Sequence, residues 1–205
     1  MTRRATTLLW GLLGLSACAV ESDGEAAAQL RLTDLQGQPH RPLRCPDGVA
    51  NVIFFVTHDC PIANALAPEV QSIVDDHRQS PLRFLLVHVD PDITGTIAGT
   101  HAQDYGLKLP VLLDPHHQLV QELGITITPE AAVWTKAGDL AYRGRINDLF
   151  ADLGKKRRAP TSHDLRNALS AVLAGQPVES PRTLAIGCDI PDALPLPSAL
   201  PRRDK

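Results

Sequence analysis

Residues 51–69, NVIFFVTHDCPIANALAPE, decide how the chain folds. The run Val52–Val56 is apolar, β-branched and aromatic, and reads as a strand buried on both faces. Thr57-His58-Asp59 leads into Cys60-Pro61, and a proline there suits the first turn of a helix, where its missing N–H costs nothing. Cys60 therefore falls at a strand-to-helix junction. The start of a helix offers unpaired N–H groups and the positive end of the macrodipole, which stabilise a thiolate. Ile62, Leu66, Val70, Ile73 and Val74 follow at near-helical spacing, with Pro68 expected to kink the helix they form.

Working outward, Leu82–Val89 reads as a second buried strand ended by Asp90-Pro91-Asp92, which places Asp90 near Cys60 at the carboxyl edge of a parallel sheet. Thr94–Tyr105 carries a weak helical pattern. Val111–Leu113 is a short strand, and Leu119–Leu123 a short helix closed by Gly124. Upstream, Leu30–Thr33 and a turn at Gln36–Pro39 suggest a small hairpin, and Cys45-Pro46-Asp47-Gly48 a turn. Downstream, Ala131–Trp134 and Leu140–Ile146 read as antiparallel strands around Lys136-Ala137-Gly138. Thr161-Ser162-His163-Asp164 has the pattern of a capping box for a helix whose apolar face carries Leu165, Ala168, Leu169, Val172 and Leu173. The proline-rich stretch from 176 to 205 cannot be helix or central strand, so it is expected as an extended, mostly loose tail carrying Cys188.

Strand, Cys-Pro, and a helix with a second proline at Pro68 together resemble the redox end of thioredoxin-like proteins, and Thr57-His58-Asp59-Cys60 is similar to the T-x-x-C of peroxiredoxins. Thr128-Pro129 before an apolar strand resembles the cis-proline loop of the same fold. The resemblance is to the redoxin group, the alkyl hydroperoxide reductase and thiol-specific antioxidant (AhpC/TSA) class, over about residues 30–190. Its peroxiredoxin-like branch ends in Gly-Cys-x-Ile, as Gly187–Ile190 do here. The chain departs from two standard patterns: a C-x-x-C would need cysteine where Ala63 stands, and typical peroxiredoxins have proline where Ile53 stands. The expected architecture is an α/β thioredoxin-like fold, a central mixed sheet flanked by helices, spanning residues 30–175.

The first residues read as an export signal: Arg3-Arg4, an apolar core of about Leu8–Leu15, too short to span a membrane, then Leu15-Ser16-Ala17-Cys18, which looks like a bacterial lipobox. The expectation is a signal over residues 1–18, acylation of Cys18, and a polar tether over 19–29. That places the protein in the bacterial cell envelope, lipid-anchored and facing the periplasm, with Ala19 after Cys18 favouring the outer membrane. With 205 residues, 43% of them apolar, one globular domain suffices, and a net charge of −3 leaves no footprint for nucleic acid.

In an oxidising compartment Cys45, Cys60 and Cys188 should give one pair and one odd thiol. Cys188 is the expected partner of Cys60, because a flexible tail can carry a distant sulfur into range. A Cys45–Cys60 bridge would overturn that choice. By the resemblance, Cys60 is the nucleophile, Thr57 hydrogen-bonds its sulfur or a peroxide oxygen, and Pro129 with Thr128 and Pro61 lines the substrate side. Arg143 and Arg145, on one face of their strand, are candidates for stabilising a leaving hydroxide. The substrate would be a peroxide or a protein thiol or disulfide, with a thiol reductant and no cofactor or metal. Two other readings remain. Cys60, His58, His88, Cys188 and His116-His117 could suit copper delivery, and the fold could be a redox-inactive binding module.

Overall fold

The computed structural model describes residues 27–196. The expected signal peptide and Cys18 lie outside them, as does most of the expected tether. The end of that tether is already part of the domain, since Ala27 is buried in the same apolar cluster as Leu32 and Leu43. Among the described residues no helix is long and apolar enough to cross a membrane.

The strand at the centre is β3 (Ala50–Val56), every residue of which is buried, as its sequence requires of a strand covered on both faces. It pairs in parallel with β4 (Leu82–His88), which pairs in parallel with β5 (Val111–Leu113). The first hairpin, β1 (Leu32–Asp34) and β2 (Pro39–His40), extends this edge antiparallel to β5. On the other side of β3 lie β7 (Glu130–Thr135) and β8 (Leu140–Gly144), both antiparallel. The seven strands run β2-β1-β5-β4-β3-β7-β8, a mixed sheet of the thioredoxin-like kind.

Because side chains alternate along a strand, β3 and β4 supply two cores. Val52, Phe54, Val56, Phe84 and Leu86 face α1 (Pro61–Asp76), α2 (Gly95–Asp104) and α4 (Asp164–Leu173). Ile53, Phe55, Leu85 and Val87 face α3 (Gln118–Leu123) and the N-terminal segment. The α1 stripe buries Ile62, Leu66, Val70 and Ile73, each worth about 1.5–3 kcal/mol against exposure. Pro68 lies inside this helix, which continues past it to Asp76.

Two expectations need correction. The capping box does not form: His163 holds the N-cap position of α4 without a side-chain bond, and the Thr161 hydroxyl instead donates to Asp148. Asp148 also accepts the N–H groups of Thr161 and Ser162, and a carboxylate outcompetes a local cap. The tail is not loose from Pro181 to Leu194. The Arg143 N–H donates to the Pro181 carbonyl and the Thr183 N–H to the Arg143 carbonyl. Farther on, β11 (Cys188–Asp189) pairs antiparallel with β6 (Ile127–Thr128), and the Leu194 N–H donates to the Pro115 carbonyl. Prolines exclude regular structure but leave the intervening N–H groups free to bind neighbours. A further hairpin, β9 (Phe150–Asp152) and β10 (Lys155–Lys156), has no clear apolar alternation in sequence.

Candidate functional site

Cys60 is the N-cap of α1, with extended backbone (φ −72°, ψ 111°), and its Sγ accepts the Ala63 N–H at 3.5 Å. Its carbonyl accepts the Asn64 N–H, the first helical bond. Pro61 occupies the next position, where an N–H would have no partner in the helix. The sulfur thus sits at the positive end of a 16-residue helix. It is also 3.3 Å from the carbonyl oxygen of Thr128, the residue joined by a cis peptide bond to Pro129. The helix start and the proline loop, 68 residues apart in sequence, meet at one atom.

Cys60 is disulfide-bonded to Cys188, across 128 residues of chain with a Cα–Cα separation of 6.0 Å. Cys188 stands opposite Thr128 in the β6–β11 pair, so the tail strand lies directly over the proline loop. Gly187 makes this possible, since a methyl there would overlap the Thr128 carbonyl. Gly144 does the same upstream, where a methyl would strike Thr183. The strand covers Cys60, which is 1% exposed, while Cys188 is only half-buried. Cys45 is a free, buried thiol elsewhere in the fold.

Thr57 and Thr128 share a hydrogen bond of 3.1 Å between their hydroxyls, and the Thr128 hydroxyl donates to the Cys188 carbonyl. Thr57 must therefore be the donor of that pair, so its proton points at Thr128 rather than at the sulfur. The two arginines serve other partners. Arg145, just beyond the end of β8, makes a two-pronged ion pair with Asp164, which raises its pKa further. Arg143 donates to the carbonyls of Leu123 and Gly124 and pairs with Glu130 at 3.4 Å. Expected as the groups facing a leaving hydroxide, both instead tie β8 to neighbouring elements.

Around the Cys60 loop lies a polar ring that sequence patterns only partly revealed. Asp90, at the end of β4, accepts the His58 N–H, the His58 Nδ1 at 2.7 Å and the His88 Nδ1 at 3.2 Å. Burial opposes ionisation of Asp90, but these bonds outweigh it and hold the carboxyl below its ordinary range. Asp90 in turn raises the pKa of His58, whose side chain is 40% exposed. On the other side, Asn64 donates to the His58 carbonyl at 3.2 Å and meets His101 Nε2 at 2.8 Å. Burial depresses the pKa of His101 to about 4. His101 was legible only as a neighbour of the apolar Ala98 and Ala102 on one helix face.

The copper donor set is not assembled. The two sulfurs are bonded to each other, the His116 ring meets the Leu194 carbonyl, and the His117 ring meets the Val89 carbonyl. Among the described residues one trio of donors, His58, Asp59 and Asp90, gathers within 4.8 Å. It includes neither sulfur, and its imidazole and carboxylate are already spent on each other.

The AhpC/TSA family model matches residues 24–145. No curated protein matches the chain. Among solved structures, a hypothetical protein of Sinorhizobium meliloti is 24% identical with a TM-score of 0.70, over 80% of this chain and 91% of that one. An uncharacterized conserved protein of Geobacillus kaustophilus is 22% identical with a TM-score of 0.68, over 78% and 87%. A secreted disulfide oxidoreductase of Mycobacterium tuberculosis, homologous to Escherichia coli DsbE, is 19% identical with a TM-score of 0.51, over 74% and 98%. These likenesses show the fold.

Proposed function

The chain belongs to the AhpC/TSA family, and from that membership and the setting of Cys60 we propose that it is a thiol–disulfide oxidoreductase cycling between two thiols and the Cys60–Cys188 disulfide. The observation that carries this reading is the bond itself, which joins a helix N-cap sulfur to a tail strand laid over the cis-proline loop. A structural staple would need no helix N-terminus beneath one of its sulfurs; a redox couple gains from it, because a stabilised thiolate is the better leaving group.

In the reduced protein the Cys60 thiolate attacks one sulfur of a substrate disulfide. A Cys60–substrate disulfide forms, and the other substrate sulfur leaves as a thiolate and takes a proton. The Cys188 thiolate then attacks Cys60 Sγ and releases the second substrate thiolate. The substrate gains two electrons and the protein is left oxidised. Regeneration begins at Cys188, the less buried sulfur: a reductant thiolate attacks it and expels Cys60, whose charge the N–H groups of α1 receive. A second reductant thiol completes the reduction.

A disulfide substrate is favoured over a peroxide because its leaving group needs no cation, and Arg143 and Arg145 both serve other partners. The bond suits an oxidising compartment, in keeping with an exported protein anchored through Cys18, and a secreted relative shares the fold. Palmitate labelling that Cys18→Ala abolishes would support the anchor. The central test is a single turnover of reduced protein with a peptide disulfide or with hydrogen peroxide, quenched by alkylation and mapped by mass. Cys188→Ser should accumulate a substrate adduct on Cys60 that the wild-type protein resolves. Faster oxidation by peroxide than by the peptide disulfide would overturn the substrate assignment; a Cys45–Cys60 bridge would overturn the pairing.

A further inference from the structure

The loop that presents Cys60 is held from outside at both backbone polar atoms of His58 and at one of its ring nitrogens. Asp90 takes the backbone N–H and the ring Nδ1, and Asn64 takes the carbonyl. The Asn64 amide is set in turn by His101 Nε2, from a helix 37 residues farther along the chain. His101 also packs edge-on against His88, with ring centroids 4.9 Å apart, and His88 is bonded to Asp90. Asn64, His101, His88, Asp90 and His58 thus close a ring around the residue two before the nucleophile.

This ring is costly to bury. His88 Nε2 and His101 Nδ1 are both buried without a hydrogen-bond partner, and apolar residues of similar shape would pack there without that penalty. Packing alone does not account for two histidines here. What they supply is direction: Asn64 Oδ1 can only accept, so His101 Nε2 carries the proton and donates to it, and the Asn64 amide N–H then faces the His58 carbonyl. The charged and titratable groups facing His101 are His88, Asp90, His58, Asp104 and Tyr105, whose ring lies 4.9 Å away.

We propose that Asn64 and His101 are positioning residues for Cys60, fixing the His58–Cys60 turn so that the sulfur stays aimed at the Ala63 N–H after the disulfide is reduced. The loop would otherwise relax once the bond to Cys188 no longer holds it, and the sulfur would drift off the helix axis, where dipole and N–H stabilisation fall away within a turn. This rests on the reading of Cys60 as the redox thiolate.

The test is the pH dependence of Cys60 alkylation in the reduced full chain, followed on the Cys60 peptide by mass spectrometry so that Cys45 and Cys188 do not interfere. In the wild type the thiol should titrate clearly below the free-cysteine value of about 8.5. Asn64→Ala and His101→Leu should each move it about one unit back toward that value, with correspondingly slower alkylation at neutral pH. His101→Gln, which keeps an N–H for the Asn64 oxygen, should retain most of the shift. A thermal melt of each variant reports folding separately. A lowered wild-type value left unchanged in folded Asn64→Ala overturns the positioning role and spares the redox assignment. Equal loss in His101→Gln and His101→Leu also overturns the role. An ordinary value in the wild type overturns the redox assignment and the positioning role with it.

Discussion

Removing Cys188 tests the pairing through stability as well as chemistry. The bond to Cys60 closes 128 residues of chain, and the chain-entropy relation gives about 5 kcal/mol for a loop of that length at 25 °C. A bridge from Cys45 to Cys60 would close only about 15 residues and contribute about 3 kcal/mol. In the folded protein the tail has backbone anchors at Thr183 and Leu194 that do not involve the sulfurs, so the effect is expected to act mainly on the unfolded chain. With a urea slope of about 2 kcal/mol/M, oxidised wild type should unfold about 2–2.5 M above Cys188→Ser. Equilibrium urea titrations followed by far-UV circular dichroism, with and without reductant, supply the measurement. Reductant should lower the wild-type midpoint to that of the variant and leave the variant itself unmoved. Coincident midpoints for oxidised wild type and Cys188→Ser would refute the long-range bond, and a reductant-sensitive Cys188→Ser would point to Cys45 as the partner.

Gly187→Ala places a methyl against the Thr128 carbonyl, so the tail strand should seat poorly and the oxidised fraction in a fixed glutathione buffer should fall several-fold by thiol trapping. Arg145→Ala should lower the melting temperature by loss of the Asp164 pair yet leave the alkylation profile of Cys60 unchanged; a raised Cys60 pKa would restore the arginine to the catalytic site. Asp148 is held well below its ordinary range by the Thr161 hydroxyl and the Ser162 N–H. A depressed folded-state pKa means that its contribution is present above the unfolded value of about 3.9 and lost as pH falls through the folded value. Acid titration of stability should therefore show a shallower decline below about pH 4 in Asp148→Asn than in wild type.

Much of the fold could be read because it rests on short-range pattern. The apolar, β-branched and aromatic run Val52–Val56 reads as a strand covered on both faces, and all seven residues of β3 are buried. Gly124 closes α3 in the left-handed conformation that favours glycine, and Thr128-Pro129 bends where its sequence indicates. The tail was harder to read, because its order depends on what it touches. Gly187 stood in a motif and Gly144 has a positive φ, but the close passes they permit, of the Thr128 carbonyl and of Thr183, depend on distant chain that local sequence does not signal. The two arginines misled for the same reason: strand alternation gives the side of a sheet, and the partner waiting there, Asp164 or the Gly124 carbonyl, belongs to a distant element.

By itself the sequence determined the order of the main strands and helices and the placing of Cys60 where one becomes the other, since hydrophobic period and proline position act over a few neighbouring residues. The tail cysteine was the expected partner of Cys60, and the bond is there; only the tertiary structure decided how the tail strand seats it, which groups hold the turn before Cys60, and which charges are already spent. Those outcomes depend largely on bonds that span 19 to 128 positions, and distance along a chain carries no record of which side chains its folding will bring together.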